Sequence, residues 1–324
     1  MNRLTFLAAV ALVLVAPVAV EAQAPGKIPR IGVVSGGPAE SPFVAGFFEA
    51  LRELGYATGR NVIIEWRSSG GNADRFPDLA AELARLKVDV IVAGDNPAIA
   101  AAQRATKTIP IVMVLSADPV GSGFVASLAR PGGNITGLTS QTNEVLSKRP
   151  QLLKEAVPTV ERVAVLWDPT ESGRRAQVSL LEAAARGLGL RPRLLQAHSA
   201  AELDTAFGTM ISERVDALIV MPSQMSFAHR TRIAEFAARR RLPAIGPSRW
   251  YPGAGGLMYY GTNNAERWRR APYFVDKILK GANPAELPDE QPTKFELVIN
   301  MKAARALGLT LPPSLLLRAD RVIE

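Results

Sequence analysis

Polar residues and glycines recur just after short runs of apolar, β-branched residues, and those positions are where this chain could do chemistry. In the first half the runs end in Ser35-Gly36-Gly37, Asp95-Asn96, Ser116 and Asp118. In the second half they end in Trp167-Asp168, Pro222-Ser223-Gln224 and Gly246-Pro247-Ser248. Hydroxyls, amides and carboxylates at strand ends can hold a small polar solute by hydrogen bonds. Helix starts at Ser41, Asn96 and Asp118 would add free N–H donors suited to a carboxylate. The candidate binding residues are Ser35, Asn96, Ser116, Asp118, Thr139, Trp167, Ser223, Gln224, Ser248 and Tyr260. Asp118 before Pro119 can serve as a cap, a contact, or both, whereas Ser41 reads as a cap alone. Trp167 can stack on a bound group or simply pack. Tyr259 and Tyr260 alternate along a strand, so at most one faces a solute, and Tyr260 is the candidate.

Covalent catalysis is poorly served. There are 2 histidines and no cysteine in the whole chain. His198 falls beside the expected cap Ser199, and His229 falls within a helix. No Gly-x-Ser-x-Gly, His-Glu-x-x-His or phosphate-binding glycine loop occurs, and Ser35-Gly36-Gly37 lacks dinucleotide-loop spacing. The missing cysteine removes thiol catalysis and cysteine metal sites. No enzyme activity, cofactor or metal is expected.

The elements that must position these residues alternate. Strands are expected at 31–34, 62–66, 90–93 and 111–115. Helices carry Phe43, Phe47, Leu51 and Leu54 up to Gly55; then Phe76, Leu79, Ala80, Leu83 and Leu86 after the cap Asn72. Two more start at Asn96-Pro97 and at Asp118-Pro119, the last bearing Phe124, Val125 and Leu128. Residues 131–134 form a turn and 135–138 cross to a second lobe. There, strands are expected at 163–166, 193–196, 217–220 and 244–245, with caps at Ser172 and Ser199. A return strand at 257–260, a helix over 264–280, a last crossing within 288–300 and a short helix over 301–308 complete the chain. Strands alternating with helices of this length predict an α/β fold of doubly wound parallel sheets.

The pattern is also duplicated. Ile28-Pro-Arg-Ile-Gly-Val-Val34 is echoed by Val160-Glu-Arg-Val-Ala-Val-Leu166, Val88-Asp-Val-Ile-Val-Ala93 by Val215-Asp-Ala-Leu-Ile-Val220, and Ile109-Pro-Ile-Val112 by Leu242-Pro-Ala-Ile245. The echoes lie about 130 residues apart. Two lobes in tandem enclose a cleft, and the expected division is 28–138 with about 261–290, and 139–260 with about 291–324.

Arg3, the apolar stretch 4–20 and Val20-Glu21-Ala22 fit a secretory signal peptide over 1–22. Without cysteine there is no lipid-modified thiol, so a periplasmic protein that is not lipid-anchored is expected. A core of this size needs no disulfide. The net charge of +8 suggests nucleic acid. However, Arg239 to Arg241 and Arg267 to Arg270 share helices with Phe236 and Trp268 and read as solvated faces, so no nucleic-acid partner is expected.

The ordered set of motifs resembles the ABC-transporter substrate-binding family that includes tryptophan- and phenylalanine-binding proteins. It comprises Leu51-Arg-Glu-Leu-Gly-Tyr56, Gly59-Arg-Asn61, Gly71-Asn-Ala-Asp74, Val88-Asp-Val-Ile-Val92, Thr108-Ile-Pro-Ile-Val112, Asp118-Pro-Val-Gly-Ser-Gly123 and Leu128-Ala-Arg-Pro-Gly-Gly-Asn-Ile-Thr-Gly137. Lys277-Ile-Leu-Lys-Gly281, Phe295-Glu-Leu-Val-Ile-Asn300, Ala304-x-x-Leu-Gly308 and Ala319-Asp320 complete it. The resemblance implies a type I periplasmic binding fold with a multi-crossing hinge near Gly137, Gly261 and Pro288. It implies a monomer that closes on a small solute, an amino acid or related carboxylate, and delivers it to an ABC permease. The resemblance also implies an acidic residue after the strand ending at Pro222, where this chain has Ser223-Gln224. Either Asp118 or Asp168 then meets an ammonium group, or the solute lacks one. The alternatives are a ligand-sensing periplasmic protein serving a signalling receptor and a two-lobe enzyme.

Overall fold

A computed structural model describes residues 27–42, 44–140, 142–171 and 174–324. The expected signal segment 1–22, Phe43 and the expected cap Ser172 lie outside the described residues. The first lobe runs β1 (Arg30–Ser35), α1 (Ala45–Glu53), β2 (Ile63–Ser68), α2 (Phe76–Arg85), β3 (Val90–Ala93), α3 (Asn96–Ala105), β4 (Ile111–Ser116) and β5 (Ile135–Thr139). Its strands pair in the order β2-β1-β3-β4-β5, all parallel. The apolar runs become strands because alternate side chains enter two dry layers. Val90 and Val92 join Ile31 and Val33 on one face, while Ile91 and Ala93 join Val34 and Met113 on the other. A strand covered on both faces must be apolar throughout, which is why these runs lack polar alternation.

The second lobe follows with α4 (Thr142–Ala156), β6 (Arg162–Trp167), α5 (Arg174–Gly187), β7 (Arg191–Gln196), α6 (Ala200–Ser212), β8 (Ala217–Val220), α7 (Gln224–Ala228), α8 (Arg230–Arg239), β9 (Ala244–Gly246) and β10 (Met258–Gly261). Helix α9 (Asn264–Leu279) then returns to the first lobe and packs on α1, β3, β4 and β5. The chain crosses back into β11 (Glu296–Asn300), α10 (Met301–Ala306), α11 (Pro313–Leu317) and β12 (Arg321–Ile323). The second sheet has the order β12-β11-β10-β9-β8-β6-β7. It too separates two apolar layers, with Val163 and Val165 on one side and Ala164 and Leu166 on the other. Both sheets are doubly wound and predominantly parallel, in line with the expected α/β class. No described helix is long and apolar enough to cross a membrane.

Several local expectations are corrected. Residues 135–138 do not merely cross between lobes; they belong to β5, the edge strand beside β4. Asp118-Pro119 starts no helix. The Gly121 N–H reaches Asp118 Oδ1 at 2.9 Å and Gly123 adopts φ +70°, a left-handed conformation that ends the turn. Ser41 caps nothing, since α1 begins only at Ala45 with Val44 at its cap position. The cap of α3 is Asp95, whose Oδ1 accepts the Ala98 N–H at 3.1 Å, and Asn96 is the first helical residue. Strand β11 runs antiparallel to β10, so the second sheet is not wholly parallel. It occupies the end of the expected 288–300 crossing. The short elements α11 and β12 carry too little periodicity to be read from sequence.

The first and last crossings lie side by side. The Gly137 N–H donates to Asp289 Oδ1 at 2.8 Å, the Glu290 N–H to the Gly137 carbonyl at 2.8 Å, and the Thr139 N–H to the Glu290 carbonyl at 3.0 Å. The guanidinium of Arg267, 7% exposed, donates to the same Glu290 carbonyl at 2.5 Å. Gly137 has φ +140°, and a Cβ there would lie 2.3 Å from the Met113 carbonyl oxygen. Backbone cannot move aside as a side chain can, so Gly137→Ala must separate β5 from β4 or unfold. A loss of about 3 kcal/mol or more is expected in urea denaturation; a variant within experimental error of wild type would show that the crossing is not pinned here.

Candidate functional site

Because the strands run parallel, their carboxyl ends collect on one edge of each sheet, and the two edges face each other across a cavity of about 210 Å³. The first lobe contributes Ser35 to Gly37 after β1, Gly94 to Pro97 after β3, and Ala117 after β4. The second contributes Glu171 and Arg174 after β6, Pro222 to Gln224 after β8, and Pro247-Ser248 after β9. Arg149 of α4, Tyr259 of β10 and Trp268 of α9 complete the polar and aromatic walls.

The first-lobe loops are held by side chains. Trp268 packs edge-on against Phe47, with centroids 5.9 Å apart, and lies 5.7 Å from Trp66. The Trp66 indole N–H donates to the Gly37 carbonyl at 3.0 Å, so the aromatic group fixes the Ser35 to Gly37 loop. Asn96 Oδ1 accepts the Ala117 N–H at 3.1 Å and ties the end of β4 to α3. Across the cleft, Ser223 and Ser226 form a reciprocal capping box at the start of α7, which aims Gln224 at the first lobe. The Gln224 amide donates to Asp95 Oδ2. Gly36 leaves room for this contact, since a Cβ there would fall 2.2 Å from Gln224 Oε1.

Charge is concentrated in this space. Arg174 forms a buried ion pair with Glu171, and its NH1 group donates to Gln177 at 2.7 Å. Burial pushes the Glu171 carboxyl upward, while the Arg174 guanidinium and the Gln224 backbone N–H pull it back. Asp95 is pushed up to about 7, mainly by burial and further by nearby Glu171. Arg149, 2% exposed, donates to the carbonyls of Tyr260 at 3.1 Å and Val220 at 3.4 Å. Burial, with Arg174 nearby, lowers it to about 10, so it stays cationic at neutral pH. Among the described residues it makes no ion pair. Two further buried polar atoms in the walls, Ser248 Oγ and Arg174 Nε, also have no partner among the described residues.

Of the sequence candidates, the structure brings Ser35, Asn96, Ser223, Gln224 and Ser248 to the cavity wall. The others lie elsewhere. Ser116 is fully buried behind the wall and Thr139 is buried within β5. Asp118 caps its own turn. Trp167 belongs to the apolar layer of the second sheet. Tyr260 packs towards Phe295, with ring centroids 6.1 Å apart; Tyr259 is the tyrosine on the wall, its hydroxyl donating to the Thr262 carbonyl at 2.7 Å. Asp168, weighed as an ammonium partner, instead accepts from the Thr170 N–H at 2.9 Å and hydroxyl at 2.7 Å. Sequence reading missed Arg149, Glu171, Arg174 and Trp268, which occur on helices or in a loop with no motif around them. Asp95 carried a usable signal, an acid between an apolar run and Asn96-Pro97.

Comparison with known proteins bears on this site. The family described as ABC transporter substrate binding protein matches residues 30–323. A tyrosine-binding protein of Clostridioides difficile is 25% identical over 264 residues, covering 82% of this chain and 76% of the relative. Among solved structures, an ABC domain in complex with L-Trp from Streptococcus pneumonia is 26% identical, with a TM-score of 0.84 over 91% of this chain and 99% of that one. A conserved domain protein from Vibrio cholerae is 27% identical, with a TM-score of 0.85 over 91% of this chain and 100% of that one. The fold is that of the type I periplasmic binding proteins.

The raised carboxyl of Asp95 has a consequence for stability. Its folded pKa, about 7, exceeds the unfolded value of 3.8. Between these values the native state holds more protons than the unfolded chain, so this contribution to stability is largest at low pH and falls as pH rises through about 7. Asn also caps helices well, and a flip of the Gln224 amide can re-pair with it. Asp95→Asn is therefore expected to melt above wild type near pH 8 and to lose that advantage near pH 5. Parallel melting curves of the two proteins at both ends of the range would reject this reading of Asp95.

Proposed function

The chain belongs to the ABC transporter substrate-binding protein family, and on that premise we propose that it captures an amino acid or a closely related small carboxylate between its lobes. The observation that carries the reading is Arg149. A guanidinium taken out of water costs several kcal/mol unless a counter-charge compensates it. Here two carbonyl oxygens bond to it and the Tyr259 ring lies 5.9 Å from its Cζ, but no anion pairs with it among the described residues. A solute carboxylate supplies the missing anion, with the unpartnered Arg174 Nε as a second donor. The cavity of about 210 Å³ suits a compact solute; pockets for drug-sized ligands run from about 300 Å³ upward. Trp268, Phe227 and Tyr259 offer flat apolar faces for a side chain. The names of the relatives, one tyrosine-binding and one complexed with L-Trp, support an amino acid.

Capture works by closure. Gln224 and Asp95 come from opposite lobes, so their bond forms only when the lobes meet. A solute that touches both walls favours that state, with the crossings at Gly137, Gly261 and Pro288 as the hinge. The closed protein, a monomer in the periplasm after cleavage behind Ala22, then presents its solute to an ABC permease for import.

The test is calorimetry and thermal shift with ligand-stripped protein against amino acids and amine-free carboxylates. Removing a charged hydrogen bond costs about 1.5–3 kcal/mol, so Arg149→Met should weaken a bound carboxylate by roughly 10- to 150-fold while the protein stays folded. Unchanged affinity in a folded Arg149→Met protein would remove the basis for the proposed carboxylate site.

A further inference from the structure

Two uncompensated charges of opposite sign face the same cavity. Arg149 has no anion in ion-pair reach among the described residues, and Asp95 has no cation. Glu171, the other wall carboxylate, is already paired with Arg174. Asp95 instead receives neutral donors only, the Ala98 N–H on Oδ1 and the Gln224 amide on Oδ2. Each carboxylate oxygen can accept a second hydrogen bond, so Asp95 has capacity left for a donor in the cavity. Ser248 Oγ, unpartnered among the described residues, also lines the cavity, from the second lobe.

Resting on the carboxylate-solute reading above, we propose that Asp95 is the specificity-determining residue that reads the solute's ammonium group, with Gln224 positioning it from the opposite lobe. Asp118 and Asp168, the acids considered from sequence, bond within their own turns and do not line the cavity. The second lobe offers Ser223-Gln224 after β8, neither of them charged. The counter-charge for an amine therefore comes from the first lobe, at the cap of α3. A zwitterion fills both needs at once, with its carboxylate at Arg149 and its ammonium at Asp95. A solute lacking the amine leaves Asp95 either ionised and unpaired or protonated, and both cost affinity at neutral or higher pH.

The assignment has a pH signature. The charged groups on elements around Asp95 are Glu171 in the loop after β6, Arg174 at the start of α5 and Arg149 on α4, whereas β1 and α9 contribute Ser35, Asn264 and Trp268 to the wall. With the lobes closed and no solute between them, Asp95 takes up a proton as pH falls through about 7. Amine-bearing solutes then compete with that proton and bind more weakly, while amine-free acids bind more tightly.

The experiment is calorimetric titration of the full protein, stripped of ligand, with three pairs of probes that differ in the amine: L-tyrosine and phloretate, L-phenylalanine and hydrocinnamate, L-leucine and isocaproate. At pH about 8 the amine-bearing member of a binding pair should be at least about tenfold tighter in wild type. In Asp95→Asn that preference should vanish, because the amine-bearing member weakens while the amine-free twin, no longer facing an unpaired carboxylate, binds at least as tightly as in wild type. In wild type alone, moving from pH 8 towards 5.5 should bring the twins together, an arm that needs no variant to fold. A preference that survives Asp95→Asn, or affinities of the two twins that fall in parallel with pH, overturns the assignment of Asp95 and leaves the carboxylate site standing. Failure of all six probes to bind wild type overturns the solute class itself, and this inference with it.

Discussion

Parallel strand pairing is the constraint on which the rest of this structure depends. In a parallel sheet each strand must be followed by a crossover, so the loops leaving the strand ends all emerge along one edge. The first three apolar runs of the first lobe are each followed by a helix and the fourth by a long loop, connections that suit parallel pairing, and all five strands run the same way. Two such edges facing each other bring eight or so loops from distant parts of the chain into a cavity of about 210 Å³. The single antiparallel strand pair among the described residues, β10 with β11, sits where the chain has just returned from the first lobe, and it lets the last segment rejoin the second sheet.

What those loops bring together is electrostatically unbalanced by design of position rather than of composition. Glu171 and Arg174 neutralise each other within one lobe. Arg149 and Asp95 do not, because each is held by neutral groups on its own lobe or across the cleft. In water such charges cost nothing; between two closed lobes their desolvation is offset only by a partner. On the proposed reading, selectivity and closure share one origin, since the groups that want a partner are those that closure removes from solvent.

The hinge supplies the opposite property, a fixed geometry. Asp289 and Glu290 knit the last crossing to β5 at 2.8–3.0 Å, and Arg267 of α9 ties itself to the Glu290 carbonyl at 2.5 Å. Gly137 is required there because its Cα packs on the Met113 backbone. Burial pushes the Asp289 carboxyl up to about 7, so a second titrating acid lies at the crossing, remote from the cavity wall. The proposed lobe motion about such a crossing would be a rotation of stiff bodies and not a loosening of the strands.

Much of this was legible before folding. The duplicated apolar runs, the strand-helix alternation and the polar ends at Ser35, Asn96, Ser223, Gln224 and Ser248 follow from local periodicity and turn chemistry, which act over a few residues. The missing helix after Asp118 shows the limit of that reading: Gly121 and Gly123 override a good cap-and-proline signal. Tyr259 instead of Tyr260 faces the cavity because strand register, a pairing between distant segments, decides which face a residue takes. Arg149, Glu171, Arg174 and Trp268 carried no mark of function in sequence, since their roles come from helices and a loop brought together at the cleft. Sequence determined the layers and the loops; tertiary structure decided which charges lose their water together, because desolvation depends on every atom nearby and not on neighbours along the chain.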